Sequence, residues 1–226
     1  MTSHLSDRAV SRAELQALAD EDGTAVRFER CDFDGQDLAG LDLRGAQFTD
    51  CTLVESSLER ARLSGSCWVG CKARQADFGL ADLTDAHFQR CDLNNTVWSR
   101  SRLASVRFEE VKLTGAHFTE VTALGLMFRD SLLIGADLRG LSFRGQHLHR
   151  LDFAEADVSA CDFRQAVFEG GSLRDAHLKH ARFDGADLRE ADLGGLKLLD
   201  ASFFRGATIS HAQAAALIGE LGLSVA

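Results

Sequence analysis

Cys31, Cys51, Cys71 and Cys91 recur every 20 residues, and His87, His117, His147 and His177 recur every 30. Thiols and imidazoles are the side chains that hold soft metals or form disulfides, so their spacing is the first thing to test. A metal site needs a short C-x2-4-C pair and a second ligand pair. Only Cys67 and Cys71 come near that spacing, and the repeat described below turns Cys67 outward and Cys71 inward. The column of inward cysteines therefore reads as small core filling in a reducing cytoplasm, with Cys67 the one expected at the surface. The histidines share no site, because a spacing of 30 is one and a half coils and puts neighbours on opposite faces. No Ser/His/Asp signature, glycine-rich phosphate loop or H-E-x-x-H occurs. The chain reads as a non-enzyme with no metal and no cofactor.

What positions these residues is a five-residue beat. Every fifth residue from Phe28 to Phe203 gives 36 positions, of which 31 are Leu or Phe. The others are Trp68, Trp98, Val158, Ala73 and Ala123, so no polar residue interrupts the series. Two residues before the beat the side chain is small in most cases, Ala at 14 places and Cys at five. Neither a helix of period 3.6 nor a strand of period 2 makes this pattern. A fixed period means stacked repeats, which present a surface for binding.

The 20-residue recurrence of the cysteines is shared by Phe28, Phe48, Phe88, Phe108, Phe128 and Phe168, with Trp68 in register. Four fives then make one coil, and residue n lies above residue n−20 in an all-β solenoid. The beat and the small residue before it point inward. Glycine two after the beat, at 13 places including Gly35, Gly40, Gly45, Gly140 and Gly145, suits a tight corner. The absence of proline fits a fold in which nearly every N–H joins a ladder. Thirty-six fives make about nine coils, a rod of roughly 43 Å at ladder spacing.

The expected organisation is a capping helix within residues 1–25, a β-helix over 26–207, and a helix and tail over 208–226. Ser11-Arg-Ala-Glu14 and Ser210-His-Ala-Gln213 are capping boxes, and the second helix runs to about Leu221. Its apolar residues exceed what one face needs, and Ala212, Ala216, Leu217, Ile218, Leu221 and Leu223 are candidates for a twofold dimer contact. No run of 18 apolar residues and no signal-peptide core is visible, so a cytoplasmic location without a membrane span is expected.

Units such as CDFDG, ADLTD, CDLNN and ADLREADLGG resemble the pentapeptide repeat, A(D/N)Lxx. The resemblance runs from Val26 to about Gly206 and implies a right-handed quadrilateral β-helix. The C-terminal ISHAQAAALIGELGLSVA resembles the end of the topoisomerase-protecting members, of the Qnr, MfpA and albicidin-resistance types. For those members the resemblance implies a dimer made by the terminal helix, a rod with the size and negative charge of duplex DNA, and engagement of DNA gyrase or topoisomerase IV against quinolones or similar toxins. Qnr members carry loops that interrupt the coils. This chain has no insertion between Phe28 and Phe203 and is closer to the loop-less kind.

Net charge is −9, which disfavours direct nucleic-acid or anionic-membrane contact and favours a basic partner. Sorted by position modulo 20, one face holds Asp32, Asp34, Glu55, Asp92, Asp152, Glu155, Asp175 and Asp192 against four bases. This is the candidate partner-binding face. Another holds Arg44, Arg62, Arg102, Arg144, Arg164, Arg182 and Arg205 against five acids. Asp before the beat also has a structural use, bonding to corner N–H groups. Leu124, Met127, Leu132 and Ile134 fall at nominally outward positions and form a candidate apolar contact. The leading expectation is a DNA-mimicking dimer that binds gyrase or topoisomerase IV. The alternative is an interaction scaffold or effector module unrelated to topoisomerases.

Overall fold

The computed structural model describes residues 3–19, 26–195, 202–219 and 222–223. The chain divides into two compact units, Met1–Ser131 and Leu132–Ala226.

In the first unit, β1 (His4–Ser6) is followed by α1 (Arg12–Ala19) and six further three-residue strands. These are β2 (Arg27–Glu29), β3 (Gln47–Thr49), β4 (Cys67–Val69), β5 (His87–Gln89), β6 (Arg107–Glu109) and β7 (Met127–Arg129). They form one parallel sheet in chain order. From β2 onward the register offset is 20, as in Phe28 opposite Phe48 and Phe48 opposite Trp68. The other faces are joined by single parallel bridges with the same offset, such as Asp37 with Ser57 and Asp42 with Arg62.

The second unit repeats the plan. β8 (His147–His149) pairs with β9 (Val167–Glu169), Asp152 bridges Ser172, and Ser172 bridges Asp192. α2 (His211–Gly219) follows. Each unit is thus a stretch of right-handed quadrilateral β-helix. The strand recurs eight times between Arg27 and Glu169, giving about eight turns where the beat count gives nine.

The beat residues are the core. From Phe28 to Leu188 all are buried except Ala123. Aromatic rings stack along the first unit, Phe28 on Phe48 at 5.0 Å, Phe48 on Trp68 at 3.9 Å and Trp68 on Phe88 at 5.4 Å between centroids. A second stack of Phe78, Trp98 and Phe118 meets the first edge-on, the arrangement aromatic quadrupoles favour. Two polar residues at inward positions serve the tryptophans. Ser66 Oγ accepts the Trp68 indole N–H at 2.9 Å, and Thr96 Oγ1 accepts that of Trp98 at 2.8 Å. In the second unit Phe143, Phe163 and Phe183 stack at 4.9 Å each.

The corners go beyond what glycine counting predicts. From Arg30 to Gly195, every position two after the beat except Glu190 has positive φ, and 20 of these residues are not glycine. The left-handed region costs an L-residue about 1–2 kcal/mol. The ladder enforces it: the Arg100 N–H donates to Thr119 O at 2.9 Å, and the Ser101 N–H closes the turn on Trp98 O at 3.0 Å.

Both capping boxes form. Ser11 N–H and Oγ each donate to Glu14 Oε2 at 2.9 Å, and Leu15 is buried. Ser210 N–H donates to Gln213 Oε1 at 2.6 Å, and Gln213 N–H returns a bond to Ser210 Oγ at 3.2 Å. β1 and the Ala9–Asp32 bridge lie outside the expected capping helix. Leu5, Val10 and Leu15 keep the five-residue beat, but three residues out of register with Phe28, which hides them from a count anchored there.

Candidate interaction surface

The thiols behave as core. Cys31, Cys51, Cys71, Cys91 and Cys161 are buried, and Cys67 is half-buried. The Cys71 thiol donates to Phe48 O at 3.4 Å and that of Cys91 to Trp68 O at 3.5 Å, each on the coil before. Burial pushes the Cys161 thiol up to about 12, so it stays protonated and unreactive.

The repeat aspartates are held at the corners. The Oδ1 of Asp32, Asp37, Asp77, Asp152, Asp157 and Asp192 accepts the N–H two residues on, at 2.7–3.0 Å. Where Arg follows at that place, the side chain closes a fork. Asp42 with Arg44, Asp137 with Arg139, Asp162 with Arg164 and Asp187 with Arg189 each pair through both carboxylate oxygens. The guanidinium hydrogen bond holds the Asp42, Asp162 and Asp187 carboxyls below the usual aspartate value. The D-[L/F]-R triplet that makes this fork is readable in the sequence; the pairing that neutralises the surface charge is visible only in the geometry.

The expected acidic face divides between the units. In the first unit Asp32, Asp34, Glu55 and Asp92 share it with Lys72, Arg74 and Lys112. Arg74 Nε donates to Asp92 Oδ2 at 2.7 Å, and Asp34 Oδ1 accepts the Val54 N–H at 2.7 Å. In the second unit Asp152, Glu155, Asp175 and Asp192 face one base, Arg174. Arg174 pairs with Asp192 at 3.0 Å. Glu155 and Asp175 are exposed at left-handed corners, with no basic partner among the described residues. The acidic character is therefore strongest in the second unit.

That column ends at α2. A groove of about 350 Å³ is lined by Ala191, Asp192 and Leu193 on one side and by Ala212, Ala216 and Leu217 on the other. Gln213 Nε2 anchors the helix through 2.7 Å bonds to Leu188 O and Ala191 O. Ala212 and Ala216 are exposed, Leu217 is half-buried, and Ile218 and Leu223 are exposed at 37% and 58%. Leu221, and with it the expected helix end, lies outside the described residues. Of the candidate apolar residues, Leu124 and Met127 are exposed in the first unit; in the second, Leu132 is exposed and Ile134 half-buried. Among the described residues no helix is long and apolar enough to cross a membrane, and no group of three or more His, Cys, Asp or Glu side chains could hold a metal ion.

The pentapeptide repeat region family matches residues 22–98, 41–118 and 68–138, and the pentapeptide repeats (8 copies) family matches 128–165 and 159–195. The chain belongs to the pentapeptide repeat family. Among solved structures it is similar to a trypsin-treated variant of QnrB1, a plasmid-mediated fluoroquinolone resistance protein, with a TM-score of 0.69 at 20% identity over 100% of both chains. Full-length QnrB1 gives a TM-score of 0.65 at 18% identity over 99% of both chains. These likenesses are of fold. No curated protein matches in sequence.

Proposed function

We propose that this chain is a non-enzymatic, cytoplasmic pentapeptide repeat protein that binds DNA gyrase or topoisomerase IV as a DNA mimic. In this reading two copies join through α2, and the acidic face occupies the basic surface where the enzyme holds its DNA segment. The bound enzyme is shielded from a quinolone or a topoisomerase-directed toxin. The observation that carries the reading is the run from Asp152 to Asp192, whose free carboxylates Glu155 and Asp175 stand on successive coils and whose last acid lines the α2 groove. A second copy seated on α2 would extend that acidic run. The fold likeness to QnrB1 is consistent with it.

The test is a gyrase supercoiling titration with purified protein, with and without a quinolone. Inhibition at low micromolar protein, or recovery of supercoiling in the drug, supports the reading. No effect in either arm sinks it and leaves the second reading, an interaction scaffold. That alternative is favoured by the four Asp–Arg forks, which neutralise much of the surface charge a DNA mimic would use.

A further inference from the structure

The second unit carries opposite charges on opposite sides. In a quadrilateral coil the first and third faces stand back to back across the core. The acidic face holds Asp152, Glu155, Asp175 and Asp192 with one base, Arg174. Across the core, residues 142–145, 162–165, 182–185 and 202–206 present four arginines and two aspartates. The fork between Asp162 and Arg164 cancels one of each. Arg144, Arg182 and Arg205 are exposed, and none forms an ion pair among the described residues. Lys179, also exposed, stands at the corner leading into this face. Asp184 is the remaining acid on it.

Charge leaves the partner open, and spacing narrows it. Arg182 lies one coil on from Asp162. Arg205 lies one coil further, beside Gly206, whose carbonyl accepts the Gly185 N–H at 3.0 Å. The acids climb by the same step, from Asp152 through Ser172 to Asp192, with Glu155 and Asp175 at corners of successive coils. Ladder spacing makes that step about 4.8 Å. A second copy of the unit has the same step. Set beside the first by translation, it lays its basic face on the acidic one, the two chains running in opposite directions there. Placing Asp175 against Arg182 then also places Asp192 against Arg205 and Asp152 against Arg164, and leaves Glu155 within one coil of Arg182. Arginine suits these contacts, because its planar fork takes a carboxylate through two bonds. The net charge of −9 repels copies at long range, but the contact is decided within the Debye length of about 8 Å.

We infer that the second unit binds a second copy of this chain side by side, basic face on acidic face. The contact is heterologous and leaves one face of each kind unfilled. It therefore does not close on itself, and a row of copies grows with concentration. Exposed ion pairs are individually weak, so the row forms in concentrated protein and dissolves in salt. Within a row Glu155 and Asp175 are occupied, so only the terminal copy offers its acidic face to another basic partner. The inference rests neither on the topoisomerase reading nor on a dimer through α2.

The experiment is sedimentation velocity on the full-length protein from about 10 μM to about 1 mM, in about 50 mM and about 500 mM salt. The mean sedimentation coefficient should keep rising with concentration at low salt and level off at high salt. Glu155→Lys with Asp175→Lys should remove the rise, and so should Arg182→Glu with Arg205→Glu. Both double variants stay net negative, so bulk attraction does not join them. Mixed in equal amounts they should recover the rise, because each reversed face again meets its opposite. A coefficient indifferent to salt overturns the inference, since a salt-labile contact is then absent. A rise that survives either double variant overturns it, and so does a mixture as dispersed as its components. Should a double variant melt early, Glu155→Gln with Asp175→Asn, or Arg182→Gln with Arg205→Gln, serves in its place and must also remove the rise.

Discussion

Asp162 and Arg164 form a closed fork at a single corner. Asp162 Oδ1 accepts both the backbone N–H of Arg164 at 3.1 Å and its Nε at 2.8 Å, while Oδ2 accepts the second guanidinium nitrogen at 2.6 Å. One carboxylate thus satisfies a turn N–H and cancels a charge on its own coil, which makes it a part of the backbone as much as of the surface.

The fork gives stability a pH dependence whose sign is fixed. The Arg164 hydrogen bond depresses the Asp162 carboxyl in the folded state below its ordinary 3.8. The unfolded chain therefore binds the proton first. The stabilisation is fully present above the unfolded value and disappears as pH falls through the lower folded value. Asp42 and Asp187 act in the same direction. Urea midpoints measured from pH 6 to pH 2 should fall through this window, and Asp162→Asn should flatten the fall. A slope unchanged by the substitution would assign the acid sensitivity to other carboxylates.

Ala160 sits at a left-handed corner with φ 59° and has no side chain beyond Cβ to engage its neighbours. Ala160→Gly should raise stability by about 0.5–1 kcal/mol, the left-handed penalty less the entropy glycine adds to the unfolded chain. The reverse substitution, Gly115→Ala, meets both a positive φ and the Asn95 carboxamide, whose Oδ1 lies 2.3 Å from where the new Cβ would sit. It should lower stability by about 1–3 kcal/mol. Thermal melts of the two variants moving the same way would refute the corner argument.

Ser66→Ala removes the hydroxyl that accepts the buried Trp68 indole N–H. An unsatisfied buried donor costs about 1–3 kcal/mol. Denaturant unfolding followed by tryptophan fluorescence should show that loss, and Thr96→Val should show a similar one through Trp98.

If the acidic run in the second unit meets a topoisomerase, Glu155→Lys combined with Asp175→Lys should weaken gyrase binding at least tenfold at low salt and less at high salt. The matched change in the first unit, Asp92→Asn, should matter little because Arg74 already neutralises that carboxylate. Titration calorimetry of the three proteins decides it, and equal losses would move the contact to another face.

The coil, its period of 20, the inward column and both capping boxes were legible because each rests on one residue type at a fixed interval. Ala123 was legible as a weak beat for the same reason. The left-handed corners occupied by Arg, Glu or Asp were not, since nothing in those side chains announces a positive φ; the ladder on both sides imposes it. The partitioning of the acidic face was also hidden. Position modulo 20 places Asp92 and Arg74 on one face, but only the geometry shows that they are bonded. β1 was missed because its beat is offset by three residues from the one that starts at Phe28.

Gln213 places its amide on Leu188 O and Ala191 O. Leu188 O already accepts the Ala191 N–H of its own turn, whereas Ala191 O belongs to the inward column. Carbonyls of that column lower in the stack take an N–H from the next coil, as Cys31 O does from Thr52. A stack of identical coils has no internal reason to stop, and such carbonyls would accept the N–H groups of any further coil, including one from another molecule. The glutamine is in this sense a chain terminator for a polymer that would otherwise grow end to end. A protein lacking it, as in Gln213→Leu, should be read for fibres by light scattering and electron microscopy as well as for its melting temperature.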